Sequence, residues 1–285
     1  MAQLESFANL SKLQEDLCKK NFCVGQDLAI SAYARASGLT VKTSYKQKGV
    51  EGKDATTLGS TYFMYKNKNF SVKQELSSTS LVKSSLEYTP ESKSNLKGKA
   101  EFESQNEHQK ISLSLESIHD RCRCKATVVN DLTSKLNVVF GHNNLGGGFD
   151  VLFDPSQKRF TTYNAAFWYF KDNYRTVIKH ESLSKNSYSL GNLIATFYSS
   201  KRKDILLGGS IKYSHFDKNL FIELAGQKKL DDKTLVKAKL NQCGYLWLAL
   251  RSKISEKVTV VTGAKLNMFI KTSPFEYGIR IKFNQ

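Results

Sequence analysis

The residue types that most often carry catalysis are present in this chain but never grouped. His108, His119, His142, His180 and His215 are scattered, with no H-E-x-x-H pair and no spacing that lets two imidazoles share a metal. Five cysteines (Cys18, Cys23, Cys122, Cys124 and Cys243) are an odd number at uneven intervals, which argues against a disulfide framework. Cys122-Arg-Cys124 is too tight for zinc-knuckle spacing and has no second pair; on a strand, the two thiols simply share a face. Leu145-Gly146-Gly147-Gly148-Phe149 is glycine-rich, yet it precedes no helix and lacks the lysine of a phosphate loop. Close backbone packing or a bend in a strand accounts for it. No catalytic residue, metal or cofactor is expected, and the chain reads as a non-enzyme.

The residues that do fall in a pattern are cations. Lys42, Lys73, Lys212, Lys237, Lys239, Lys265, Arg280 and Lys282 each occupy a polar position in a stretch whose alternate residues are apolar. A single lysine is a solvated surface charge. Eight on the wet faces of alternating strands make a surface that concentrates anions. The whole chain leans the same way, with 43 Lys+Arg against 26 Asp+Glu and a formal net charge of +17. That balance suits nucleic acid, anionic lipid, or anionic solutes drawn into a channel.

The elements that must position these cations are strands. In the last eleven residues Phe275, Tyr277, Ile279, Ile281 and Phe283 point one way, and Glu276, Gly278, Arg280, Lys282 and Asn284 the other. The same period of two runs through Leu39–Tyr45, Phe70–Leu76, Ile111–Leu115, Ile205–Tyr213 and Val258–Leu266. Short polar turn signals separate the runs, among them Lys48-Gly49, Lys66-Asn67-Lys68-Asn69, Asp154-Pro155-Ser156, Lys171-Asp172-Asn173 and Asp217-Lys218-Asn219. The three prolines, Pro90, Pro155 and Pro274, sit where strands would start or stop.

One segment breaks the alternation. Leu4, Phe7, Leu10, Leu13 and Leu17 recur every three or four residues, which predicts an amphipathic helix over 4–20, with Lys12, Glu15, Asp16, Lys19 and Lys20 on its other side. From about residue 25 to 285 the pattern is strand only, and no linker divides it, so one domain over 1–285 is expected.

No apolar run approaches the ~18 residues of a membrane helix, and the N-terminus shows no secretory signal. A mean hydropathy of -0.42 is compatible with a membrane β-barrel, whose inward residues are wet. Strands of ~9–11 residues leave room for roughly 18–20 of them. A sandwich of that size would need two domains, and a propeller would show a repeat of ~40 residues. A closed barrel removes its edges without either feature, and at this strand number its lumen holds water.

Several segments resemble one family. Glu276-Tyr-Gly278-Ile-Arg-Ile281-Lys-Phe283 looks like the sorting signal by which the mitochondrial outer-membrane machinery reads the last strand of its barrels. Asp231–Leu250 and Tyr65–Lys73 are similar to hairpins of the mitochondrial porins, or voltage-dependent anion channels. The resemblance implies an all-β transmembrane barrel of about nineteen strands with the N-terminal helix inside the pore, placed in the mitochondrial outer membrane. It further implies a wide, voltage-gated pore passing ATP, ADP, phosphate and other small anions. The partners implied are the lipid bilayer and solutes in transit, with a homo-oligomer or larger membrane complex left open. Two positions depart from the family pattern. Gln74 stands where the animal proteins carry a lipid-facing glutamate, and Ser80-Leu81-Val82 replaces a Gly-Leu-Lys triplet.

Three other readings compete. A protein-translocase pore would want an acidic lumen, against the +17 balance. A non-conducting barrel within a larger assembly fits the same strands. A soluble nucleic-acid binder would mix exposed aromatics with its lysines, whereas Phe275, Tyr277 and Phe283 keep to the apolar face, so no nucleic-acid partner is expected.

Overall fold

The computed structural model describes residues 4–20, 22, 28–50, 53–90, 95–105, 108–182, 190–202, 204–270 and 275–284. The N-terminal segment holds a 3-10 turn, Phe7–Asn9, and helix α1, Lys12–Lys19. The strands of the first half are β1 (Leu28–Ala36), β2 (Leu39–Val50), β3 (Lys53–Lys66), β4 (Phe70–Ser77), β5 (Leu81–Tyr88), β6 (Leu96–Gln105), β7 (His108–Ile118), β8 (Cys122–Val129), β9 (Ser134–His142) and β10 (Leu145–Asp154). The second half adds β11 (Arg159–Lys171), β12 (Tyr174–Glu181), β13 (Asn192–Arg202), β14 (Ile205–Ser214), β15 (Asn219–Lys229), β16 (Thr234–Asn241), β17 (Tyr245–Lys253), β18 (Val258–Asn267) and β19 (Glu276–Asn284).

Each strand pairs antiparallel with the next, so every connection is a hairpin. The ring closes where β1 meets β19 in parallel, with Ile30 opposite Ile281 and Ala32 opposite Phe283. An odd number of strands forces that parallel seam, because the first and last strands then run the same way. The turns follow local chemistry. Ser37 and Gly38 have φ of 41° and 84°, the paired left-handed conformation of a two-residue hairpin that follows the strand twist.

The period of two sorts residues to two faces. Outward positions carry Phe140, Phe167, Ile178, Leu193, Leu207, Leu224, Leu248 and Ile279, all open at the surface. So continuous an apolar exterior is not found on a soluble protein; it needs hydrocarbon around it. Every strand is hydrogen-bonded to a neighbour on each side, as a spanning sheet requires. Among the described residues no helix is long and apolar enough to cross a membrane.

The N-terminal segment lies inside the ring, because Phe7, Leu10, Leu17 and Cys18 pack on inward-facing wall residues. Its helix is shorter than the leucine spacing predicts. Leu4 is outside it, Phe7 lies in the 3-10 turn, and regular α-helix begins after Ser11. Asn9 and Ser11 are poor helix-interior residues, whose short polar side chains favour turns and caps. The rotation introduced there also moves Leu13 out of the buried stripe: it is 39% exposed, while Ser11, Gln14, Leu17 and Cys18 face the wall. A second difference lies at Lys48-Gly49. The chain continues there as β2, with a register shift between Lys48 and Val50 rather than a turn.

Candidate pore lining and docked helix

The wall beneath the N-terminal segment mixes small residues with large apolar ones. Phe7 and Leu10 pack against Val139, Ala166, Trp168 and Val177; Leu17 and Cys18 pack against Ala225, Tyr198 and Leu206. Gly148 and Gly208 complete the bed. A methyl group on Gly208 would stand 3.0 Å from Leu17 Cδ2, and one on Gly148 3.4 Å from Phe7 Cδ2. The glycine run of β10 thus has a packing role on both faces. Gly146 lies opposite Trp168 and takes its indole against bare backbone, Gly148 admits Phe7, and Gly147 between them faces outward. In a water-filled lumen, burying these apolar side chains is favourable by about 1.5–3 kcal/mol each.

Cations of the wall hold both ends of the segment. Arg123 on β8 pairs with Glu116 at 2.7 Å and donates from Nη1 to the Leu4 carbonyl at 3.0 Å. Arg175 on β12 pairs with Glu5 and stacks over Phe170. At the other end, Lys237 of β16 is buried and donates from Nζ to the carbonyls of Asp16, Leu17 and Lys20 at 3.1–3.3 Å. Those acceptors lie in the last turn and C-cap of α1, where the helix dipole is negative; the Asp16 carbonyl also accepts from the Lys20 N–H at 3.0 Å, so Lys237 is its second donor. Lys237 is a helix C-cap supplied by a distant strand. Lys179 of β12 lies under the same segment, 6.0 Å from the centre of the Phe7 ring. Gln14 donates to Cys18 Sγ at 3.1 Å within the buried face.

The eight cations singled out by alternation all occupy inward positions, but their surroundings differ. Lys73 pairs with Glu87 at 4.0 Å, Lys239 with Glu223 at 3.6 Å, and Lys265 with Glu276 at 2.6 Å. Lys239 also sits 4.0 Å over the Trp247 ring, and Lys265 4.8 Å over Tyr245. Lys237 is committed to the helix. Lys42, Lys212 and Arg280 form no ion pair among the described residues. Lys282 occupies the next inward place on β19 after Arg280. On the helix, Lys12 is open to the lumen, while Lys19 and Lys20 are held by Glu15 and Asp16 one turn back, at 3.6 and 2.7 Å.

Charge is unevenly spread around the ring. Over β4–β6, Lys73, Lys83 and Lys99 are matched by Glu87, Glu103 and Glu101. Inward cations without an ion pair among the described residues lie on β2, β14 and β19 and also on β6, β8 and β12, where Lys97, Lys125 and Lys179 face the lumen. Sequence patterning did not single out Arg123, Arg175 or the cross-strand partners Glu87, Glu116 and Glu223. Alternation alone would have placed the two arginines inward; the glutamate partners need the register.

On β19, Glu276 and Gly278 face inward, whereas Ile281 and Phe283 face outward. Gln74 of β4 faces outward between Phe63 and Ser84, with no hydrogen bond among the described residues.

A closed nineteen-stranded ring with carbon outside, charge inside and a helix laid along its inner wall is a membrane pore. The eukaryotic porin family model matches residues 5–275, and the chain belongs to that family. Similar proteins include mitochondrial outer membrane protein porin 2 of Arabidopsis thaliana, 23% identical over 92% of this chain and 91% of that one. The mitochondrial outer membrane porin of Triticum aestivum is 23% identical over 96% of both chains. That of Neurospora crassa is 21% identical over 92% of both. The protein is a pore-forming β-barrel of the mitochondrial outer membrane.

Proposed function

We propose that the pore passes small anionic solutes, with nucleotides and phosphate as its main traffic, and that it does so by diffusion along a basic lining. The observation that carries this reading is the set of inward cations without an ion pair among the described residues, Lys42, Lys212 and Arg280 among them, on a chain of net charge +17. Opposite charges in the ion pairs cancel at a distance, so the unpaired cations dominate the field that a solute meets. Water fills the lumen, and physiological salt screens beyond ~8 Å. The result is preference without tight binding, which suits a conduit that must release what it admits.

Voltage gating belongs to the same proposal. A segment held by Arg123, Arg175 and Lys237 carries charges of its own, and its position sets the free width of the lumen. The test is a planar bilayer with a salt gradient. The reversal potential should take the sign of anion preference, and conductance should fall at high voltage of either sign. Deleting residues 1–20 should change both conductance and gating. A zero or cation-selective reversal potential would overturn the anion assignment. Folded protein that never conducts would favour a scaffold within a larger membrane assembly.

A further inference from the structure

The outward wall is not evenly tiled. Across β9–β12, facing residues form two rungs: Phe140, Gly147, Phe167 and Ile178, then His142, Leu145, Tyr169 and Thr176. Gly147 has no side chain between two large rings, and the rings only partly close the gap. A Cβ there would lie 3.0 Å from Phe140 Cζ and 3.4 Å from Phe167 Cε1. The outcome is an outward-facing slot of about 780 Å³, lined almost entirely by carbon.

The slot ends at the rim, where the β7–β8 turn meets the end of β9. There the Arg121 carbonyl accepts from the Gly141 N–H at 3.0 Å, which fixes the arginine's backbone to the last turn of the wall. Arg121 and His142 both line the slot and are exposed. Among the described residues, neither side chain has a hydrogen bond or ion pair, and no carboxylate lines the slot.

We propose that this slot is a binding site for one phospholipid with an anionic headgroup. Its acyl chains lie over Phe140, Gly147 and Phe167, and its phosphate meets Arg121 beside His142. The face is the one that contacts the bilayer, so hydrocarbon is the occupant that its carbon lining selects. The polar end discriminates by charge, because a guanidinium matches phosphate with paired hydrogen bonds. One cation at the membrane surface should favour the anionic lipid about fivefold, equivalent to about 1 kcal/mol.

The test uses the full chain in phosphatidylcholine vesicles containing a trace of spin-labelled phosphatidylglycerol or spin-labelled phosphatidylcholine. The immobilised fraction of each label is read by electron spin resonance. The native chain should hold the anionic label about fivefold more strongly than the neutral one. Arg121→Gln should erase that preference and leave the neutral label unchanged. Gly147→Leu should reduce retention of both labels, with unaltered conductance reporting an intact barrel. Equal retention of the two labels by the native chain, or a preference that survives Arg121→Gln, would overturn the proposal. So would full-yield disulfide dimers of Phe167→Cys, which would mean that a second copy covers the slot.

Discussion

Ser80 stands at the turn between β4 and β5 with φ of 57°, a conformation in which a Cβ crowds the following carbonyl. It is also the position that the resemblance sets against the glycine of a porin Gly-Leu-Lys triplet. The serine therefore carries a backbone cost that glycine would avoid, offset in part by glycine's greater freedom when unfolded. Ser80→Gly should stabilise the barrel by about 0.5–1 kcal/mol, seen as a higher urea midpoint for unfolding from detergent with an unchanged slope. A lower midpoint would mean that the serine side chain is needed at the turn. Gln74 is the second departure, and its geometry agrees with its chemistry. An amide facing lipid without a partner is costly, but an ionised carboxylate there would cost more.

At the scale of elements, the docked segment depends on contacts from opposite stretches of the wall. Apolar packing is not directional, whereas the three carbonyls on Lys237 fix the helix's C-terminal end. Removing that ammonium should cost about 1–2 kcal/mol, or about tenfold in the undocked population. Cys18 gives the readout, since it is 1% exposed when the helix is docked. In a chain whose other four cysteines are serine, Lys237→Met should raise the maleimide labelling rate of Cys18 about tenfold. Unchanged labelling would show that the apolar contacts suffice. Much of this element was legible: Phe7, Leu10 and Leu17 are on the buried side as their spacing requires. Leu13 was not, because the break at Asn9–Ser11 rotates the α-helical turns after it. Nor was Lys237 as a cap. Its partners are backbone carbonyls some 220 positions away in sequence, and no local pattern carries that information. The same holds for Glu87, Glu223 and Glu276. Their pairing with Lys73, Lys239 and Lys265 is a property of strand register, whereas the inward placement of the lysines follows from alternation alone.

For the whole molecule, the decisive quantity is the balance between paired and unpaired charge around the ring. Neutralising Lys42, Lys212 and Arg280 together as glutamine should move the reversal potential in a salt gradient towards zero, with single-channel conductance largely kept. Salt should do the same to the native pore, because screening shortens from about 10 Å at 0.1 M to about 3 Å at 1 M. A reversal potential indifferent to both changes would place selectivity elsewhere, for example on Lys12 of the helix.

The parallel seam between β1 and β19 sets an order of events in time. Every other pair is a hairpin that can form as soon as its two strands exist, but this one joins residues about as far apart as the chain allows, from Leu28↔Ile279 to Tyr33↔Asn284. Until the last strand arrives, the sheet has two raw edges, each a template for pairing with another chain. Closing so long a loop is the slow step of such a topology. A chaperone that waits for the final strand before releasing the sheet into lipid would be reading the one segment whose presence means that the ring can shut. That is a physical reason to expect, as the resemblance implies, a sorting address at Glu276, Gly278, Ile281 and Phe283. The residues that finish building the ring are the ones on which such an address would tell most.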